Sequence, residues 1–127
     1  MTTAQPRVCS IARTLDIVGE KWALLALREV FLGNRRFDEM VRRTGAPRDT
    51  LTARLKTMTG AGILERRPYS EHPARFEYHL TEAGADLVPV LRALFVWGDR
   101  WARTPGPGVP EMPRPATSHA VSRYATP

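Results

Sequence analysis

A single cysteine, Cys9, stands among 127 residues, so neither an internal disulfide nor a cysteine-rich metal site can be built. Long apolar runs are equally scarce. The longest, Trp22 to Leu27, falls far short of the roughly 20 residues that a bilayer span requires, which excludes a membrane helix. Nothing between Met1 and Arg13 has the apolar stretch and small-residue cleavage site of a secretory signal. The three histidines, His72, His79 and His119, are too scattered to form a ligand set, and no glycine-rich phosphate loop or nucleophile elbow appears. Even a pairing of Cys9 with His79 is a poor basis for catalysis. These absences predict a reduced cytoplasmic protein without metal, cofactor or enzymatic activity.

Lysine is the other scarcity. Of nineteen basic residues only Lys21 and Lys56 are lysine and seventeen are arginine, set against thirteen acids for a net charge of +6. Arginine-rich basic surfaces suit phosphate. The excess is also localised: between Arg35 and Arg75 there are ten basic residues (Arg35, Arg36, Arg42, Arg43, Arg48, Arg54, Lys56, Arg66, Arg67, Arg75) and five acids, which is +5 of the +6. A phosphate-facing surface requires such a bias, because each neutralised phosphate releases counterions. The alternative is a solvated face of scattered ion pairs.

Length and composition predict one domain, organised as an N-terminal arm over 1–9, a folded unit over 10–102 and a tail over 103–127. Six of the eleven prolines lie between Pro105 and Pro127, and this near-neutral tail is predicted to be disordered.

Within the folded unit, Ile11, Leu15 and Val18 predict a first helix over Ser10 to Val18, stopped by Gly19. Glu20 to Leu32 is apolar on nearly every face, the mark of a central buried helix. Phe37, Met40 and Val41 share one face of a short helix that Thr44-Gly45-Ala46-Pro47 breaks. Pro47 then opens a helix from Arg48 to Thr59 with Leu51, Leu55 and Met58 inward. Two such helices with a glycine-containing turn outline a helix-turn-helix. Strand-like runs follow, Ile63 to Arg67 and Phe76 to Leu80, flanking a polar stretch from Pro68 to Ala74 that predicts a long hairpin tip. Phe76, Tyr78 and Leu80 alternate with Glu77 and His79, the pattern of a half-buried strand. A helix-turn-helix followed by a hairpin is a winged helix, so the predicted fold is mainly α with a β-hairpin wing. Thr81 can cap a last helix reaching Trp101, with a kink predicted upstream of Pro89.

With Leu51, Leu55 and Met58 inward, the second helix of the pair offers Arg48, Asp49, Thr50, Thr52, Ala53 and Lys56 outward. Its N-terminal half would enter a major groove. There Arg48 can read guanine, Asp49 can accept from cytosine, and the methyls of Thr50, Thr52 or Ala53 can meet thymine, while Lys56 suits phosphate. Arg54 has two readings, a DNA contact or a pair with Asp38 or Glu39. Arg35, Arg36, Arg67, His72 and Arg75 are the candidate wing and backbone contacts.

The ordered segments Leu15-Asp16-Ile17-Val18-Gly19-Glu20-Lys21-Trp22, Arg36-Phe37-Asp38-Glu39, Leu51-Thr52-Ala53-Arg54-Leu55, Gly62-Ile63-Leu64-Glu65-Arg66-Arg67 and Glu77-Tyr78-His79-Leu80-Thr81-Glu82-Ala83-Gly84, between Cys9-Ser10 and Trp97-Gly98, carry a resemblance. The chain resembles the HxlR family of bacterial winged-helix transcription regulators, which are MarR-like. That resemblance implies a homodimer on a pseudo-palindromic operator in double-stranded DNA, with repression as the usual outcome and dimerisation through the first and last helices. Leu15, Leu87, Leu91, Leu94, Phe95, Trp97 and Trp101 are then the interface residues, although the last helix could instead close the core of one protomer. In several relatives a cysteine at the position of Cys9 senses electrophiles or oxidants. Here a helix start, Arg7 and Arg13 would activate the thiol, and Ser10 stands where the family commonly has proline. The alternatives for Cys9 are packing without redox function, and for switching a small ligand between the dimer helices and the winged domain, or no effector. Set against the DNA-binding regulator is a second function class, a winged-helix module that meets an acidic protein.

Overall fold

The computed structural model describes residues 9–102, so the expectations for the arm and tail over 1–8 and 103–127 lie outside the described residues. The element order is α1 (Ser10–Val18), α2 (Lys21–Phe31), α3 (Phe37–Thr44), α4 (Arg48–Gly60), β1 (Leu64–Glu71), β2 (Ala74–Leu80), α5 (Glu82–Asp86) and α6 (Val88–Trp101). Among the described residues, six helices and one antiparallel hairpin make the winged helix that the sequence predicts.

The apolar α2 occupies the centre. Ala23, Ala26, Leu27 and Val30 are buried along it, and it packs against α1, α3, α4, α6 and β2. From α4, Leu51, Leu55 and Met58 enter the same core at the predicted spacing, joined by Met40 of α3 and Ile63 and Leu64 of the first strand region. Between α3 and α4 the chain turns at Gly45, whose φ of 74° is a left-handed conformation that other residues rarely adopt. Ala46 is buried in that turn, and its N–H donates to the Thr44 hydroxyl at 3.1 Å.

One acid lies inside this apolar frame. Glu29, near the end of α2, has no solvent exposure and accepts hydrogen bonds from Arg28 (2.9 Å), the Asn34 side-chain amide (3.0 Å) and Arg43. Its backbone carbonyl accepts from the Asn34 N–H at 2.8 Å. A buried carboxylate is tolerated when its lone pairs are satisfied in this way, and the network joins the end of α2 to the end of α3.

The hairpin is longer than the sequence reading allowed. Both strands extend through the stretch assigned to the tip, leaving His72 and Pro73 as the connection. Pro68 still pairs with Phe76, and the register then shifts between Pro68 and Ser70, so that Ser70 faces Arg75. A proline cannot donate to the ladder, and a bulge is where a strand absorbs it. The expectation for Phe76 is also corrected. Tyr78 and Leu80 pack against the core, but Phe76 is exposed because the hairpin has left the helical body by that point.

The last helix divides more sharply than a kink. α5 ends at Asp86, Leu87 links the two, and Pro89 sits in the first turn of α6, where its missing N–H is harmless. The wide apolar stripe separates accordingly. Leu91 belongs to the protomer's core, and Leu87 and Phe95, both half-buried, pack on it. Leu94, Trp97 and Trp101 face solvent with Val90, and on α1 so do Leu15 and Ile11. Thr81 caps α5 as predicted, its hydroxyl oxygen accepting from the Gly84 N–H at 3.1 Å. At Gly84 a Cβ would collide with the Ile63 carbonyl oxygen, which explains a glycine in a helix start packed on the strand entry.

Two substitutions test this account by urea denaturation at fixed protein concentration. Glu29→Ala leaves the Arg28, Asn34 and Arg43 donors without their acceptor and is expected to lose about 3 kcal/mol. Gly84→Ala is expected to lose about 1–3 kcal/mol through overpacking against backbone. An unchanged midpoint in either variant contradicts the role given to that residue.

Candidate nucleic-acid interface

The exposed side of α4 follows from its buried side. Arg48, Asp49, Thr52, Ala53 and Lys56 are exposed, and Thr50 is half-buried. The Thr52 hydroxyl donates to the Arg48 carbonyl at 2.9 Å, which satisfies it within the helix and leaves the methyl as its group for other contacts. Arg48, at the first position of the helix, donates from Nη2 to Asp38 Oδ1 at 3.0 Å, and its guanidinium lies 4.9 Å from the centre of the Phe37 ring.

Arg54 points elsewhere. Its Nε lies 4.0 Å from Glu20 Oε2 at the start of α2, not beside Asp38 or Glu39. Six residues beyond Arg48, it is about 9 Å further along the helix axis, out of reach of the N-terminus of α3. Glu20 also accepts from the Trp22 N–H at 3.1 Å, so this acid caps α2 while it faces α4. Of the two sequence readings of Arg54, the carboxylate one named Asp38 or Glu39, whereas the acid beside it is Glu20.

Next to the helix pair, the wing is joined to the body at its base. The Tyr78 N–H donates to the Arg35 carbonyl at 2.8 Å, which fastens the segment ahead of α3 along the edge of β2. A groove of about 790 Å³ opens between the start of α3 and the wing, with Arg35, Arg36, Arg42, Arg66 and Arg75 on its walls among Phe37, Tyr69, Phe76 and Tyr78. Two of these arginines lie on aromatic rings: Arg36 over Tyr69 at 3.9 Å and Arg66 over Phe76 at 4.1 Å. Such stacking fixes the plane of a guanidinium and leaves its edge N–H groups free. Arg42 and Arg66 were not singled out from sequence, and only the pairing register and the groove show their place.

Of the five candidate wing and backbone residues, the structure brings Arg35, Arg36 and Arg75 together in that groove. Arg67 and His72 do not line it. Arg67 donates to Glu65 at 3.0 Å, and this bond with its charge holds the Glu65 carboxyl below its ordinary pKa. His72 is exposed at the hairpin connection. Arg36 lies 3.9 Å from Glu77, which is also bonded to His79 at 2.9 Å. Arg35, Arg42 and Arg75 have no carboxylate partner among the described residues, and neither does Lys56. Free cations on this face are what phosphate binding requires.

Cys9 lies apart, at the N-cap of α1. It is exposed, and its Sγ accepts from the Ala12 N–H at 3.4 Å. Among the described residues no group of three or more histidine, cysteine, aspartate or glutamate side chains is placed to hold a metal ion, and no helix is long and apolar enough to cross a membrane.

The fold has counterparts among known proteins. Residues 17–105 match the model of the HxlR-like helix-turn-helix family. An uncharacterised HTH-type transcriptional regulator of Mycobacterium tuberculosis is 44% identical over 115 residues, which span 90% of this chain and 73% of that protein. Among solved structures, the redox regulator HypR in its reduced form superposes with a TM-score of 0.67 at 31% identity, covering 72% of this chain and 92% of that one. The reduced form of the transcriptional regulator YodB from B. subtilis gives a TM-score of 0.62 at 26% identity over 77% of this chain and 98% of its own. With most of the folded unit inside the family match and the helix-turn-helix exposed beside a basic wing, the chain belongs to the HxlR-like helix-turn-helix family and is a DNA-binding transcriptional regulator.

Proposed function

We propose that the protein acts as a homodimer that binds a pseudo-palindromic operator and represses transcription from it. The observation that carries the reading is the set of exposed basic side chains without carboxylate partners among the described residues: Lys56 on α4, and Arg35, Arg42 and Arg75 around the groove between the start of α3 and the wing. In this reading α4 lies in the major groove with Arg48, Asp49, Thr50, Thr52 and Ala53 toward the bases. Arg35, Arg36, Arg67, His72 and Arg75 hold the adjacent backbone or minor groove. A repressor of this kind occludes a promoter, and a dimer reads two half-sites with its two copies of α4.

The dimer reading is supported by apolar side chains that the protomer leaves in solvent. Leu15 on α1 is 56% exposed, and Leu94, Trp97 and Trp101 on α6 are 51, 62 and 66% exposed. Large apolar side chains exposed along one side of α6 mark an interaction surface. Of the switching routes, oxidation or alkylation of Cys9 has an observation behind it: the thiol is exposed, and a structural neighbour, HypR, is a redox regulator known in reduced and oxidised forms. With one cysteine in the chain, any disulfide would join two protomers.

Three measurements test these statements. In gel shifts with promoter DNA, Arg48→Ala combined with Arg75→Ala is expected to weaken binding about tenfold or more and to lower the salt dependence by about one counterion for each phosphate that is no longer neutralised. Unchanged affinity removes this placement, and binding that does not discriminate among duplex sequences favours the acidic-protein module instead. Leu94→Glu with Trp97→Glu is expected to yield folded monomers in sedimentation velocity, whereas an intact dimer places the interface elsewhere. Diamide or a quinone is expected to release the parent from DNA and to leave Cys9→Ser bound. An equal response of both proteins excludes the thiol.

A further inference from the structure

We propose that Asp38 and Phe37 of α3 position Arg48 to read a guanine, so that base preference at one position of each half-site depends on an acid that contacts no base. This inference rests on the proposed placement of α4 in the major groove. Its basis is the geometry around the first residue of α4. Asp38 Oδ1 accepts from Arg48 Nη2 at 3.0 Å, and the Phe37 ring lies 4.9 Å from the guanidinium carbon. Phe37 is itself anchored by packing against the core. Arg48 is therefore restrained by a carboxylate and by a ring whose position the fold fixes.

The pair stands in the open. The Arg48 and Asp38 side chains are 63 and 75% exposed. An ion pair in that setting contributes little to folding. Its effect falls on the arginine's freedom. A flexible arginine must be ordered when it binds, and ordering opposes affinity for every sequence. One already held needs less ordering for a bidentate pair with guanine O6 and N7, and a guanidinium has five N–H donors, so the bond to Asp38 leaves enough for the base.

The carboxylate has a second consequence. Placed against a duplex, it repels phosphate, so it weakens binding to unrelated DNA while it sharpens reading of the correct base. Arg35, Arg42, Arg75 and Lys56, without such partners, remain general phosphate contacts. Arg36 is restrained in a similar way, over Tyr69 and near Glu77, but it stands at the wing groove, whereas Arg48 stands at the first turn of α4, where a restrained guanidinium suits base reading rather than backbone attraction.

Selection from a random duplex pool with the full-length chain tests the inference in the parent, Asp38→Asn, Arg48→Ala, the double variant and Phe37→Leu, which keeps an apolar side chain but removes the ring. The parent is expected to prefer one guanine per half-site by about tenfold or more. In Asp38→Asn and in Arg48→Ala that preference is expected to drop below about threefold at the same position only, the double variant falling no lower than Arg48→Ala alone. Phe37→Leu is expected to lie between, and Asp38→Asn to bind unrelated duplex at least as tightly as the parent. Full retention of the preference in Asp38→Asn, an even loss across all positions, or a flattened position different from that of Arg48→Ala overturns the inference. If the parent enriches no sequence, the operator reading falls as well. A parent that selects a site which Asp38→Asn reads unchanged removes this inference alone.

Discussion

The geometry of the DNA-binding face depends on a carboxylate that never meets water. Glu29 gathers Arg28 from its own helix, Asn34 from the following loop and Arg43 from the end of α3. Through these bonds α3 is set relative to α2, and the loop that carries Arg35 is set relative to both. Two supports of the DNA-binding face hang from those positions: Phe37 and Asp38, which hold Arg48, begin α3, and Arg35 fastens the edge of the wing through the Tyr78 N–H. An apolar residue in place of Glu29 could pack as well, but it would not fix the direction of a helix only eight residues long. Directional bonds do so because their donors come from three separate segments.

Total charge says less about function than the way charges are paired. The acids of the basic segment are not spread at random. Asp38 takes Arg48 and Glu65 takes Arg67, and just beyond the segment Glu77 stands near Arg36 while it binds His79. Glu20, outside that segment, faces Arg54. What remains without a carboxylate partner among the described residues is a smaller set around the groove and on α4. The sequence locates the excess between Arg35 and Arg75, but only the folded pairing separates cations free for phosphate from cations already engaged.

How much of this was legible depends on the range of the interaction. The ends of α1 to α4 agree with the sequence reading to within one or two residues, because turn glycines, Pro47 and apolar spacing act locally. The inward set Leu51, Leu55 and Met58 was legible for the same reason. Arg48 and the other outward residues of α4 followed by subtraction. Arg43 and Glu29 are fourteen positions apart, and nothing in local spacing pairs them. The partner of Arg54 was misplaced because two helix starts, those of α2 and α3, both offer acids, and the distance along α4 decides between them. Pro68 misled in a different way: it reads as the end of a strand, yet a register shift lets the strand continue past it.

The last helix shows why a sequence stripe can serve two bodies at once. Leu87, Leu91 and Phe95 recur every fourth residue and turn toward α2, whereas Val90, Leu94, Trp97 and Trp101 recur at intervals of four, three and four and turn away. From sequence these merge into one broad apolar surface, and closing the core and meeting a partner read as exclusive choices. In the folded chain the inner side of α6 closes the core, and the outer side leaves apolar side chains exposed. The inner side fixes α6 to α2, which also carries Glu29 and so sets α3. A body seated on the outer side of α6 would therefore be positioned, through α6 and α2, relative to α3 and α4. In a dimer formed there, the separation of the two copies of α4 is set by rigid packing rather than by a linker, and operator spacing becomes a property of the core.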